Sequence, residues 1–313
     1  MSTTGVIWDP RYTKHDMGMY HPESPRRLLA IKEVLDGEGV GKELQHLEPR
    51  DATKDEIACI HAPSYIDEVA ATDGKDMVML DPDTTTCPES YKAALLAAGG
   101  VMNAADAVYE GKVNNAFAFV RPPGHHAEHD RAMGFCFFNN IAIATERLVQ
   151  ECGVERVAIV DFDVHHGNGT QHAFYKRGDV FFTSMHRGQF YPGSGQSEET
   201  GEGPGKGCTL NIPLSTGADD DDYKRAFDKL IIPAVRNFKP QIILCSAGFD
   251  AHRRDPMGGM RMTTDGYRWI GRTLGDLAND LCDGKIVYVL EGGYDLTALR
   301  DSSEAILEEM VSS

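Results

Sequence analysis

At 313 residues, with 41% hydrophobic and 25% charged, the chain has the length for one large α/β domain and the balance of an ordinary globular protein. A formal net charge of −17 argues against a nucleic-acid-binding face, which needs clustered Lys and Arg, and is compatible with cationic substrates such as basic peptides or polyamines. No apolar run reaches the ~18 residues of a membrane span, the opening residues lack the basic start and apolar stretch of a signal peptide, and seven cysteines without a Cys-x-x-Cys pair fit a reduced, cytoplasmic protein.

The first residues, 1–9, read as a strand. An irregular stretch at 9–24 leads into a helix over 25–35, with Leu28, Leu29, Ile31 and Leu35 as its apolar positions. A second irregular stretch covers 72–90. An Ala-rich helix follows over 91–109, weakened in its middle by Gly99 and Gly100. Residues 116–120 form an apolar strand, continued by Arg121-Pro122-Pro123-Gly124-His125-His126. A helix over 140–152 is closed by Gly153. Residues 157–160 read as a buried strand, and the run from Asp161 to Gly169 follows at once. A third irregular stretch covers 187–207. A helix over 220–238 carries the acidic cluster Asp219, Asp220, Asp221 and Asp222 at its start, where the helix dipole favours negative charge. A strand over 242–250 ends in Asp250, a helix spans 263–282, a strand over 286–294 ends in Gly292, Gly293 and Tyr294, and a last helix covers 296–311. Strands alternating with helices, and no Pro/Gly/Ser linker, predict a single domain over 1–313: a mostly parallel central sheet with helices on both faces. Irregular stretches this long commonly serve as pocket walls or lids.

Asp163 and His165 are two residues apart, so at the end of an extended strand they point to one side. Ionisable groups directly after a buried strand are expensive to bury unless something neutralises them, and a divalent metal does so. Asp161 shares their phase and could brace a neighbouring histidine. The competing reading is a polar loop whose aspartates cap the next helix. In a parallel sheet, however, the carboxyl ends of the strands share one rim. Four strands then bring Asp161, Asp163 and His165, Asp250, His125 and His126, and Tyr294 to the same edge, which capping does not explain.

These segments together resemble one known family, the zinc-dependent deacetylases of the arginase–deacetylase fold: histone deacetylases, acetylpolyamine amidohydrolases and acetoin-utilisation proteins. The resemblance runs from His21-Pro22-Glu23-Ser24-Pro25-Arg26-Arg27-Leu28, through the Arg121–His126 turn, Gly134-Phe135-Cys136-Phe137-Phe138-Asn139-Asn140 and the Asp161–Gly169 run, to Gly248-Phe249-Asp250 and Glu291-Gly292-Gly293-Tyr294. Asn168 and the Glu-Gly-Gly-Tyr ending look like the class II branch. The resemblance implies that Asp163, His165 and Asp250 bind Zn²⁺, a set that Fe²⁺ or Co²⁺ could also use. Tyr294 would donate to the substrate carbonyl oxygen as it becomes an oxyanion. His126 would be the general base and then the acid for the leaving amine, with His125 acting electrostatically. Asp161 would orient His125, and Asn168 would orient His126. Phe135 and Tyr191 would line a slot for an aliphatic chain, Gly134 would present a carbonyl to the substrate N–H, and Met257 stands where polyamine-selective members carry an acidic gatekeeper. Arg27 would sit in an inner cavity, or else lie on a helix surface. Structural K⁺ is implied on backbone oxygens of Asp161, Asp163, His165 and Met185 with the Ser184 hydroxyl. A second K⁺ site would use Phe174 and Val180, where Arg177 departs from the common threonine.

The substrate implied is an acylated lysine in a peptide or protein, most simply acetyl-lysine, with an acetylated polyamine or other small amide as the alternative. A catalytically idle binding module on the same fold is disfavoured by the intact ligand set, His126 and Tyr294. A manganese ureohydrolase would need a two-metal, Asp-rich site. His166 reads as a packed neighbour of the site, and His129, His172, His186 and His252 as surface or structural residues. No nucleic-acid or membrane partner is expected.

Overall fold

A computed structural model describes residues 3–312. Its strands are β1 (Thr4–Ile7), β2 (Leu44–His46), β3 (Met79–Asp81), β4 (Thr84–Thr85), β5 (Asn115–Ala118), β6 (Val157–Asp161), β7 (Val180–Arg187), β8 (Thr209–Leu214), β9 (Ile242–Ala247) and β10 (Ile286–Leu290). Its helices are α1 (Arg26–Leu35), α2 (Lys54–Ile57), α3 (Pro63–Ala70), α4 (Ser90–Tyr109), α5 (Asn140–Gln150), α6 (Asn168–Phe174), α7 (Asp220–Ala226), α8 (Ile232–Phe238), α9 (Thr264–Cys282) and α10 (Leu296–Ser312). Met1 and Ser2, the start of the expected first strand, lie outside the described residues.

Eight strands form one sheet in the order β2-β1-β5-β10-β9-β6-β7-β8, and every pairing in it is parallel. The central strands β5, β6, β9 and β10 are buried throughout. Strands covered on both faces need apolar side chains at every position, which is why they read as unbroken apolar runs. The crossover from β5 to β6 runs one way along the sheet and that from β9 to β10 runs back. With right-handed crossovers, the intervening helices α5 and α9 therefore lie on opposite faces. Helix α4 packs on α5, while α8, α10 and, through α10, α1 pack on the α9 side. No described helix is long and apolar enough to cross a membrane.

Several local expectations are corrected. The stretch 220–238 is helical throughout but changes register: a π turn at Phe227–Ile231 joins α7 to α8. Pro233, in the first turn of α8, has no N–H for the carbonyl a turn earlier, and the wider turn accommodates that gap. One expectation holds in this segment: Asp219 is the N-cap of α7 and exchanges bonds with Asp222, so the acidic cluster at the helix start is a cap. The helix before Gly153 stops at Gln150, and Gly153 takes a left-handed conformation after it. Pairing in β9 and β10 ends at Ala247 and Leu290, so Asp250 and Tyr294 sit in turns beyond the sheet rim. The irregular stretch 72–90 contains the antiparallel pair β3–β4.

Candidate active site

The turns after β6, β9 and β10 meet at the carboxyl edge of the sheet, where α/β folds place their ligands. Asp163, His165 and Asp250 are all buried, and each offers one ligand atom within 4.8 Å of the others. His165 Nδ1 is 3.1 Å from Asp163 Oδ1 and 3.2 Å from Asp250 Oδ2. Ligands about 2.0–2.1 Å from a tetrahedral zinc ion stand about 3.3 Å from one another, so the spacing fits. The other carboxylate positions are taken by backbone donors: His165 N–H and Gly292 N–H to Asp163 at 2.9 and 2.8 Å, and Val164 N–H to Asp250 Oδ1 at 2.9 Å. Asp250 Oδ2 is buried with no hydrogen bond of its own. A side chain at Gly292 would put its Cβ 2.1 Å from that same oxygen, so only glycine leaves the approach open. Burial and the charge of Asp163 push Asp250 up to about 7. His165 loses solvation on burial, yet Asp163 and Asp250 outweigh this and push it up to about 10. The cluster thus favours a positive charge at the point where its three ligand atoms converge, which is what a divalent cation brings.

His125 and His126 stand beside this cluster with ring centroids 4.0 Å apart. His125 Nδ1 is 2.9 Å from Asp161 Oδ2, and His126 Nδ1 is 2.8 Å from Asn168 Oδ1. Their environments differ in sign. Burial works against charge on His125, but Asp161, Glu291 and Asp163 overcome it and raise the ring to about 10. Burial and the neighbouring charges of His125 and His165 push His126 well below the usual imidazole range, and the neutral Asn168 does little to oppose them. Tyr294 completes the group, its ring edge-on to Phe135 with centroids 6.1 Å apart.

Above these groups lies a cavity of about 240 Å³, lined by Phe135, Tyr191, Met257, Gly134, Gly292 and Tyr294 together with Asp83, Pro123, Phe190, His125, His126 and His165. All four expected channel residues therefore line one cavity. Phe190 was missed: it lies flat on His165 with centroids 5.3 Å apart, although its position next to Tyr191 was the available signal. Gly134 has φ +57°, and a Cβ there would come within 2.3 Å of the His126 ring. Asp83 is partly committed to the wall, accepting from Gly134 N–H at 3.0 Å. A larger cavity, about 330 Å³, lies near the amino ends of β5 and β10 among Asn115, Asn279 and Tyr288 and holds none of these groups.

Supporting carboxylates were not foreseen. Glu291 is fully buried and accepts from Gly124 N–H at 2.8 Å and His125 N–H at 3.1 Å, fixing the turn that carries the histidine pair. Asp255 accepts from Met257 N–H at 2.8 Å and Tyr294 N–H at 2.6 Å, tying the channel wall to the tyrosine. Glu23 pairs with both Arg121 and Arg27 in the interior. The helix-surface reading of Arg27 is wrong: it is fully buried, donates to Gly293 O at 2.7 Å and Glu291 O at 2.5 Å, and lies 5.2 Å from the Tyr294 ring centroid. Its apolar neighbours along α1 hide the reason, since its carbonyl partners come from the turn after β10 and its carboxylate partner, Glu23, from the loop before α1. His166 is buried against Ser194 and Gln171, as expected of a packed neighbour. His186 and His252 are buried structural residues, and His129 and His172 are more open. Asp161 and Ser184 face each other across β6 and β7, Ser184 Oγ is 2.9 Å from His186 Nδ1, and Met185 is buried beside them. Phe174 ends α6 and Val180 opens β7.

The chain is similar over most of its length to known sequences and to a solved structure. It is 40% identical over 291 residues to a histone deacetylase-like amidohydrolase of Pseudomonas aeruginosa, covering 93% of this chain and 77% of that protein. It is 40% identical over 320 residues to histone deacetylase 15 of Arabidopsis thaliana, covering 99% of this chain and 57% of that one. The crystal structure of the HDA15 HD domain superimposes with a TM-score of 0.95 at 40% identity, covering 100% of this chain and 89% of that one. Since the histone deacetylase domain pattern also matches residues 21–310, the turns that converge at this rim belong to a member of the histone deacetylase family.

Proposed function

We propose that this deacetylase removes acetyl groups from the side-chain amine of lysine in peptides or proteins. The observation that carries the choice of lysine is the channel: its walls are the apolar faces of Phe135, Phe190, Tyr191 and Met257, a sheath for four methylenes that offers no carboxylate at Met257. A divalent metal, Zn²⁺ or alternatively Fe²⁺ or Co²⁺, held by Asp163, His165 and Asp250 would supply Lewis-acid activation of water and of the amide carbonyl. The remaining work falls to the chain. His126 is neutral in the starting state, because burial disfavours its charge, and its Nε2 takes the proton of the attacking water. It returns that proton to the lysine amine as the C–N bond breaks. His125, held charged by Asp161, contributes positive potential. Tyr294 donates its hydroxyl hydrogen to the carbonyl oxygen as charge builds there. Gly134 O faces the substrate N–H, and the aromatic walls exclude water.

We also infer K⁺ on backbone oxygens near Asp161, Asp163, His165, Ser184 and Met185, and a second ion near Phe174 and Val180. The pairing of Asp161 with Ser184 across β6 and β7 supports the first. A cytoplasmic location is proposed from the seven free cysteines. Asp83 on the channel wall favours one second reading, an acetylated polyamine as substrate. A panel of acetyl-lysine peptides, longer-acyl lysine peptides and monoacetylated polyamines, compared by kcat/KM, separates the two. The lysine reading expects the acetyl-lysine peptide first. Preference for acetylspermidine or acetylputrescine would overturn it.

A further inference from the structure

We propose that Glu128 is a positioning residue that holds the Asn168 amide in one orientation and thereby sets which ring nitrogen of His126 carries the proton. The inference rests on the reading of His126 as the base. The two ends of an asparagine differ: Oδ1 accepts hydrogen bonds and Nδ2 donates them. With Oδ1 facing His126 Nδ1, the neutral ring must carry its proton on Nδ1, and Nε2 is left bare toward the channel. With Nδ2 facing it, the ring must accept at Nδ1, its proton moves to Nε2, and the base is lost. His125 does not have this problem, because both ends of the Asp161 carboxylate accept.

The surroundings of Asn168 Nδ2 decide the orientation. It is 2.5 Å from Glu128 Oε1, 3.1 Å from His126 O and 3.4 Å from Met133 Sδ. All three are acceptors, and Glu128 is the one that carries charge, so its bond is the strong one. A flipped amide would set Oδ1 against a carboxylate and a carbonyl at the same distances. Glu128 is itself anchored. Both of its carboxylate oxygens lie 2.9 Å from His172 Nδ1, its N–H donates to Arg131 O at 3.0 Å, and its carbonyl is 2.8 Å from His61 Nδ1. Although burial opposes ionisation, the bonds from His172 and Asn168 keep the carboxyl below its ordinary value. Glu128 does not line the channel, so it acts on the reaction through Asn168.

The test uses zinc-loaded protein with ¹⁵N-labelled histidine, reading the His126 ring nitrogens by NMR alongside kcat and KM on an acetyl-lysine peptide. In the wild type, the signals should show a protonated Nδ1 and a bare Nε2. In Glu128→Ala, that pattern should move toward a protonated Nε2, and kcat should fall about 10–100-fold with KM little changed. A second arm keeps the side-chain shape and removes the charge. In Glu128→Gln the amide can present either its oxygen or its nitrogen to Asn168, so the Asn168 orientation is no longer fixed, and part of the shift toward protonated Nε2 and part of the fall in kcat should appear. This arm stands even if Glu128→Ala does not fold. A His126 tautomer unchanged from the wild type in either folded variant overturns the proposal. If the wild type turns over no acetyl-lysine peptide but the tautomer still responds to Glu128, the positioning role stands and the substrate reading fails.

Discussion

Replacing Tyr294 by Phe isolates one hydroxyl from the structure that holds it. The backbone of Tyr294 is fixed by its N–H to Asp255 Oδ2 at 2.6 Å, and its ring is fixed by Phe135 and by the guanidinium of Arg27. None of these contacts uses the hydroxyl, so Tyr294→Phe should keep the ring in place and change folding stability by less than about 0.5 kcal/mol. The ligand atoms of Asp163, His165 and Asp250 are untouched, and metal content should match the wild type. The loss falls on the transition state. Removing one oxyanion donor costs about 2.7–4 kcal/mol, or about 10²–10³ in kcat. Because the hydroxyl meets full negative charge only as the carbonyl is attacked, KM should stay near the wild-type value. Steady-state turnover of an acetyl-lysine peptide, metal analysis and a melting curve on the same preparation give all three quantities. Near-wild-type kcat in a metal-replete, folded variant would refute the role of Tyr294. An equal loss of metal and kcat would show that the residue supports the ligand cluster instead.

The remaining predictions use other parts of the same rim. Asp163→Ala should weaken zinc binding by more than the roughly 10–100-fold that loss of a supporting hydrogen bond costs, and activity should fall with metal content; full activity in metal-free protein would end the metal reading. Glu23→Gln leaves the buried Arg121 and Arg27 without a counter-charge and should destabilise the fold by about 3–5 kcal/mol, read as a lower Tm. Burial opposes the Glu23 charge but Arg121 and Arg27 outweigh it, so its folded pKa lies below the unfolded value of about 4.3. The stability it contributes is complete above that pH and drains away as the pH falls below it, so the acid limb of Tm against pH should be flatter in Glu23→Gln than in the wild type. Gly134→Ala places a methyl against the His126 ring in a left-handed backbone and should cut kcat more than it weakens metal binding; unchanged kinetics would show that the ring has room to move. Met257→Glu gives the channel mouth a carboxylate and should raise the ratio of polyamine to acetyl-lysine kcat/KM, whereas an unchanged ratio would remove Met257 from substrate selection.

The residues nearest the chemistry were legible because they lie within a few positions of buried strands. Asp163 and His165 follow β6 directly, Asp250 follows β9 by three residues and Tyr294 follows β10 by four, so an apolar run ending in an ionisable group marks each one. Strands β7 and β8 were harder to read. β7 buries Thr183, Ser184 and His186 within its length, which breaks the apolar run, and β8 carries Pro213 at the edge of the sheet, where a missing N–H is tolerated. The supporting carboxylates gave no sign of the distant partners they would meet. Glu23 meets Arg121 across 98 residues, Glu291 meets Gly124 across 167 and Asp255 meets Tyr294 across 39. Each is an acid in a loop or turn until the fold brings its partner to it.

The buried carboxylates explain how so anionic a rim can be rigid. Asp163, Asp250, Glu291 and Asp255 each accept backbone N–H groups from turns that carry ligand, base or tyrosine residues, so each acid fixes the position of a neighbouring turn before any substrate arrives. Against that background the neutral amide at Asn168 has a specific effect. His125 and His126 are neighbours in one turn, their rings tilted against each other with centroids 4.0 Å apart, yet the first is driven toward charge by Asp161 and the second toward neutrality by burial and by that same charge. A carboxylate at residue 168 would stabilise imidazolium on His126 and make the ring more basic. An amide keeps the ring neutral but has two inequivalent ends, and the orientation of those ends then has to be fixed from outside. The buried Glu128 is placed to do that, so the uncharged residue next to the base accounts for the charged one behind it.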